Sequence, residues 1–172
     1  MMPNGADDAV DNQITDDELL YRRVPRNPEK SLYYDCPGES FRVLAQAFSV
    51  SPEKEGEFAA QYRLSVDRAK LRGFNPHLTR QADPRRPPET FGVVVMPVGE
   101  VRAIPGVASV IPDPIQDDPD LPDNLAHALI CVEYDSVATK TANKNKFKEV
   151  IVELAAAANR RPWAINPPDE TI

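Results

Sequence analysis

The chain has 172 residues, 41% of them hydrophobic and 27% charged, a composition that supports one domain with a real core and excludes a low-complexity or collagen-like chain. Its net charge of −7 sits largely in residues 1–18, which hold six acids and no base. The remainder carries 20 basic and 21 acidic side chains, a balance that argues against a dedicated nucleic-acid binder.

No stretch reaches the ~18 consecutive apolar residues of a membrane helix, and the start lacks the basic and apolar regions of a signal peptide. The chain therefore reads as cytoplasmic, with Cys36 and Cys131 as reduced thiols rather than a disulfide. Eighteen prolines against seven glycines imply short elements joined by stiff turns.

Residues 1–14 are polar, acidic and aperiodic, and read as a disordered tail; residues 15–166 form one domain and 167–172 a loose end. Thr15 and Glu18 have the spacing of a capping box, which predicts a short helical turn. Residues 21–25 (YRRVP) then read as extended, and 25–38 as irregular. In residues 40–50, Phe41, Leu44, Ala45 and Phe48 share a helical face, which predicts a helix. Tyr62, Leu64 and Val66 alternate as in a strand, followed by a capped helical turn that ends at Gly73.

Four prolines in residues 74–89 predict a surface loop. Residues 91–98 (FGVVVMPV) are β-branched and apolar, the pattern of a strand buried on both faces, and Pro97 suits a sheet edge or bulge. Residues 100–104 and 108–111 read as further extended pieces. Residues 112–123 form a proline- and aspartate-rich loop, and 125–134 a second apolar strand. The two apolar strands are expected at the centre of the sheet. Residues 141–161 carry an apolar stripe of Phe147, Val150, Ile151, Leu154, Ala155 and Ala158, and Trp163 to Ile165 read as an edge strand or a clamp on the core. The fold expected is α+β: one domain with a mostly antiparallel, twisted sheet of four to six strands packed by the C-terminal amphipathic helix.

Five residues carry the chemistry. Arg22 and Arg23 are adjacent on a strand and so point to opposite faces, which leaves one of them able to grip a carboxylate or phosphate. Ser65 and Asp67 stand where a strand gives way to a turn, and read as helix caps or site residues. His127, in LAHALI, can act as acid, base or ligand, or serve as a strand-face residue. Asp117, Asp118, Asp120 and Asp123 lack the glycine of a calcium loop, so no metal and no cofactor is expected. The loop 112–123 instead has a basic counterpart in residues 63–86, which hold seven basic side chains.

The runs YRRVP, LSVDRA, GVVVMPV and AHALI resemble those of short bacterial proteins. An early strand arginine, a mid-chain serine and a later strand glutamate are also loosely similar in order to NAD-dependent ADP-ribosyltransferases. That resemblance implies roles for Arg22 or Arg23, Ser65, and Glu100 or Glu133. The function expected is a non-enzymatic accessory protein that engages a protein partner. The alternatives are a small enzyme or toxin acting on a nucleotide-type substrate, and RNA binding through residues 63–86. Convergence of Arg22 or Arg23, Ser65, Asp67 and His127 in one concavity is the feature that favours the nucleotide-type substrate.

Overall fold

The computed structural model describes residues 13–26, 32–34, 41–52 and 62–168. Of the tails expected at 1–14 and 167–172, residues 1–12 and 169–172 lie outside them, as does Cys36; Ile14 and Pro167 are described and buried, so neither belongs to a loose end. Among the described residues the backbone forms β1 (Leu19–Pro25), β2 (Tyr33–Tyr34), β3 (Arg42–Val43), β4 (Tyr62–Arg68), β5 (Phe91–Pro97), β6 (Val107–Pro112) and β7 (His127–Val132). The α-helices are α1 (Pro76–Arg80), α2 (Val98–Arg102) and α3 (Lys140–Asn159). Five strands make one antiparallel sheet in the order β5-β1-β4-β7-β6, and β2 pairs with β3 apart from it. The expected α+β architecture is thus the one observed.

The sheet has two unlike faces. Leu20 and Val24 of β1, Leu64 and Val66 of β4, and Ala128 and Ile130 of β7 face α3 and join Phe147, Val150, Ile151 and Leu154 in the main core. Tyr62 stacks on Phe147 with ring centroids 4.0 Å apart. Thr139 caps α3 by accepting a hydrogen bond from the Ala142 N–H. The opposite face carries Tyr21, Ala69 and Val93, with Leu19, Val95 and Ile165 around them.

Thr15 and Glu18 do bond reciprocally: the Glu18 carboxylate accepts from the Thr15 N–H at 3.0 Å, and the Glu18 N–H donates to the Thr15 carbonyl at 3.1 Å. The result is a turn that delivers the chain into β1, not a helix. Glu18 also takes the Arg68 guanidinium in a two-pronged grip at 2.9 and 3.0 Å, with both side chains buried. Burial alone would raise the Glu18 carboxyl. The Arg68 and Thr15 hydrogen bonds, with the charges of Arg68 and Lys70, outweigh it and hold the group below its usual value.

Four local expectations are corrected. The helix expected at 40–50 is strand β3 followed by a single 3₁₀ turn, Ala45–Phe48. Residues 74–89 are not a plain surface loop: Asn75 caps α1, Pro76 opens it, and Thr79 and Asp83 are buried. Residues 100–104 are not extended, because α2 places Val98, Val101 and Ile104 on the core at helical spacing. Strand β5 is an outer strand, not a central one. Its second face is covered by a segment in which Ile165 bridges Val93 and Trp163 packs against Gly92. The clamp expected of Trp163 to Ile165 is therefore present.

A candidate anion-binding cleft where two strands part

Ladder lengths within the sheet are unequal. Strand β1 pairs with β5 over seven positions and β4 with β7 over six, but β1 and β4 pair only at Leu20–Arg68 and Tyr21–Asp67. Beyond Tyr21 the two central strands diverge. Arg22 stands at a core-facing position between Leu20 and Val24, and its guanidinium bridges the opening. One Nη donates to the Ser65 carbonyl at 2.7 Å and the other to the Ala47 carbonyl at 3.2 Å, while the group lies 5.4 Å from the centre of the Phe48 ring.

The opening forms part of a cavity of about 280 Å³. Its lining includes all five residues singled out in the sequence: Arg22, Arg23, Ser65, Asp67 and His127. Strand alternation predicts that only one of the two arginines reaches such a cleft. Both line it, because the parting of β1 from β4 opens the sheet beneath Arg22. A broader groove of about 580 Å³ runs between α3 and β3. It is shallow, and Asn159 within it is fully engaged with the Val43 backbone.

The five residues are not equally free. Asp67 does not cap a helix; it lies inside β4 and is saturated. Its carboxylate accepts from Arg72 Nε at 2.9 Å, Thr79 Oγ1 at 2.8 Å and Asn124 Nδ2 at 2.9 Å. It thereby ties β4 to α1 and to the loop before β7. Asp83, on the rim, is held by Arg85 through its backbone N–H and its guanidinium. Those bonds keep its carboxyl below the usual range.

Arg23 is differently placed. Its guanidinium lies 4.8 Å from the Phe91 ring centre, and its buried Nη1 has no hydrogen-bond partner. Burial lowers its pKa, Asp67 and Asp83 oppose that, and Arg86 and Arg72 add to it. Arg22 is pulled down to about 10, mainly by burial and then by the charge of Arg23, and its buried Nε also lacks a partner. Both groups remain cations at neutral pH, and neither forms an ion pair among the described residues.

His127 sits across β4 from these arginines, in register with Asp67. Its Nδ1 lies 2.8 Å from the Asp113 carbonyl oxygen and 3.1 Å from Asp113 Oδ2. Both partners accept, so Nδ1 carries the hydrogen, and Nε2 has no hydrogen-bond partner among the described residues. Ser65 is exposed at the mouth. The opposite wall is apolar, built by Ile115, Leu121 and Pro122 of the aspartate-rich loop. Asp120 and Asp118 of that loop act on Arg85 and help raise its pKa, after the larger effect of Asp83. The acidic loop and the basic segment both line the cleft, with no ion pair between them among the described residues.

Asp113 was not singled out in the sequence. It lies 14 residues before His127 in a loop, and nothing local links the two. The glutamates of the ADP-ribosyltransferase resemblance are absent from the cleft. Glu100 is on α2 and is bound by Arg161 at 2.9 and 3.1 Å, and Glu133 is exposed just after β7. Among the described residues no three His, Cys, Asp or Glu side chains group as metal ligands, and no helix is long and apolar enough to cross a membrane. Comparison with protein-family models, curated proteins and solved structures finds no match.

Proposed function

We propose that this protein binds a small organic anion in the cleft between β1 and β4. The observation that carries the reading is that two partly buried arginines, Arg22 and Arg23, line one cavity and form no ion pair among the described residues, while the carboxylates that share the lining, Asp67 and Asp83, are held by other side chains. Removing a cation from water without an ion-pair partner is costly, and an incoming carboxylate or phosphate would supply one. The fixed fork of Nη and Nε donors suits both groups. At about 280 Å³ the cavity lies just below the roughly 300–1,000 Å³ typical of ligand sites, so the ligand is a small metabolite-sized molecule.

The same geometry supports a soluble binding component more than a surface for a protein partner, since the convergent chemistry is concave. RNA binding through residues 63–86 is not favoured. Arg68 is engaged by Glu18, Arg72 by Asp67, Arg80 by the Pro88 carbonyl and Arg85 by Asp83. Cytoplasmic action is in keeping with Cys131, a free buried thiol. The test is a thermal-shift panel of small carboxylates and phosphate esters on the wild-type protein and Arg23→Gln. A ligand at about 100 times its Kd stabilises the folded state by about 2.7 kcal/mol, which raises the melting temperature by several degrees. The wild type should respond and the variant should not. A flat response of the wild type to every anion refutes the proposal.

A further inference from the structure

We infer that the ligand of this cleft is a phosphate monoester, and that His127 recognises it by sharing a proton with the phosphate. The inference rests on the anion-binding reading above and narrows it to one chemical class.

The donors of the cleft do not lie in one plane. Arg23 comes from β1, His127 from β7 on the far side of β4, and Ser65 from β4 between them. Paired strands are about 4.8 Å apart, and β1 has parted from β4 at Arg23, so the arginine and histidine flank a space more than roughly 10 Å wide at the backbone. A planar carboxylate has two oxygens and turns one edge toward its partners. A tetrahedral phosphate monoester has three free oxygens, which can meet groups arriving from separate strands.

His127 adds a stricter criterion. Asp113 fixes the hydrogen on Nδ1, so Nε2 either accepts a hydrogen bond, when the ring is neutral, or donates one, when it is charged. A phosphate monoester has a second pKa near 6, so it carries a proton that it can hold or release close to neutrality. One proton then suffices for the pair: it lies on the phosphate and is donated to Nε2, or on Nε2 and is donated to the phosphate. Sulfate is also a tetrahedral anion but brings no such proton, so His127 must first take one from water before Nε2 can donate to it. Carboxylates share that defect.

The rim bears on how many phosphates fit. Asp113, Asp117, Asp118, Asp120 and Asp123 lie in one loop, while Arg85 is held by Asp83. A second phosphate projecting from the cleft would meet that acidic loop. The body of the ligand instead faces Ile115, Leu121 and Pro122.

Calorimetric titration of the full chain with phenyl phosphate, sulfate and benzoate tests this at one pH. The wild type should bind phenyl phosphate about tenfold or more tightly than either of the others, the worth of one charge-assisted hydrogen bond. His127→Gln should bring phenyl phosphate close to sulfate while leaving sulfate affinity within about threefold of wild type. Arg23→Gln should weaken all three. Phosphorus NMR of bound phenyl phosphate on the wild type is a second readout that needs no variant. Its chemical shift should titrate at a different pH from that of free ester, because His127 shares the proton. Equal binding of phosphate and sulfate, with an unperturbed phosphorus titration, overturns the inference and leaves anion binding intact. Absence of binding by all three anions overturns the anion reading itself.

Discussion

Asp67 is the residue whose removal should do most damage at the least change in volume. In Asp67→Ala, three donors lose their acceptor together: Arg72 Nε, Thr79 Oγ1 and Asn124 Nδ2. A hydrogen bond to a charged group is worth about 1.5–3 kcal/mol, so the simple sum is an upper bound of about 9 kcal/mol. The true loss is smaller. The Arg72 side chain is 14% exposed and can turn to water, and the Thr79 hydroxyl can rotate. Thr79 and Asn124 are otherwise buried, and breaking a buried pair from one side costs about 3–5 kcal/mol. For a chain of this size that corresponds to a fall in melting temperature of roughly 10 °C. Urea unfolding followed by far-ultraviolet circular dichroism measures it, with the slope expected to match wild type. Hydrogen exchange should also quicken in α1 and at Asn124, since both are tied to β4 through this carboxylate. A loss below about 1 kcal/mol would show that Asp67 does not hold the walls of the cleft together.

Three further outcomes follow from the packing and charges. Leu154→Ala empties a fully buried position between α3 and the sheet and should cost about 2–5 kcal/mol in urea unfolding; a cost under 1 kcal/mol would contradict the core assignment. Gly92→Ala places a Cβ 2.6 Å from Trp163 Cζ3 and 2.9 Å from the Pro167 backbone. The clamp must lift, so emission from Trp163, the sole tryptophan, should shift to the red; an unchanged spectrum would refute the contact. The folded-state pKa of Glu18 is depressed, so its contribution is present above its unfolded value near 4.3 and lost as pH falls through the lower folded value. Wild type should therefore lose stability below about pH 4.5, while Glu18→Gln, weaker at pH 7 because Arg68 is left buried and unpaired, should change less over that range. Parallel pH profiles would count against the pairing.

What could be read in the sequence follows the length of each signal. The stripe of α3 repeats over 20 residues, and the apolar run of β5 is unbroken, so both were legible. Short helices were not. Asn75-Pro76 is a cap followed by a helix-opening proline, but four prolines in the same stretch obscured it. Val98, Val101 and Ile104 follow helical spacing, yet Val101 and Ala103 within them mimic a strand. The place of β5 was misread because a strand clamped by Trp163 and Ile165 is as apolar on both faces as one flanked by neighbours. At the site, the five residues could be chosen by chemical type. The parting of β1 from β4 could not be foreseen, because it is a property of pairing between distant segments, and so is the bond from His127 to Asp113.

The position of β1 has a consequence for how the chain is made. It is an inner strand of the sheet, but its partners β4 and β5 begin only about 40 and 70 residues later. At about 5–20 residues per second of synthesis, β1 spends seconds outside the ribosome as an unpaired apolar strand. Within Leu19–Pro25 the apolar residues Leu19, Leu20, Tyr21 and Val24 are interrupted only by Arg22 and Arg23. Two adjacent charges in such a segment discourage it from pairing with a copy of itself. The arginines that confront the cleft in the finished protein thus also guard the nascent chain, and their replacement by apolar residues should lower soluble yield even where the folded state tolerates it.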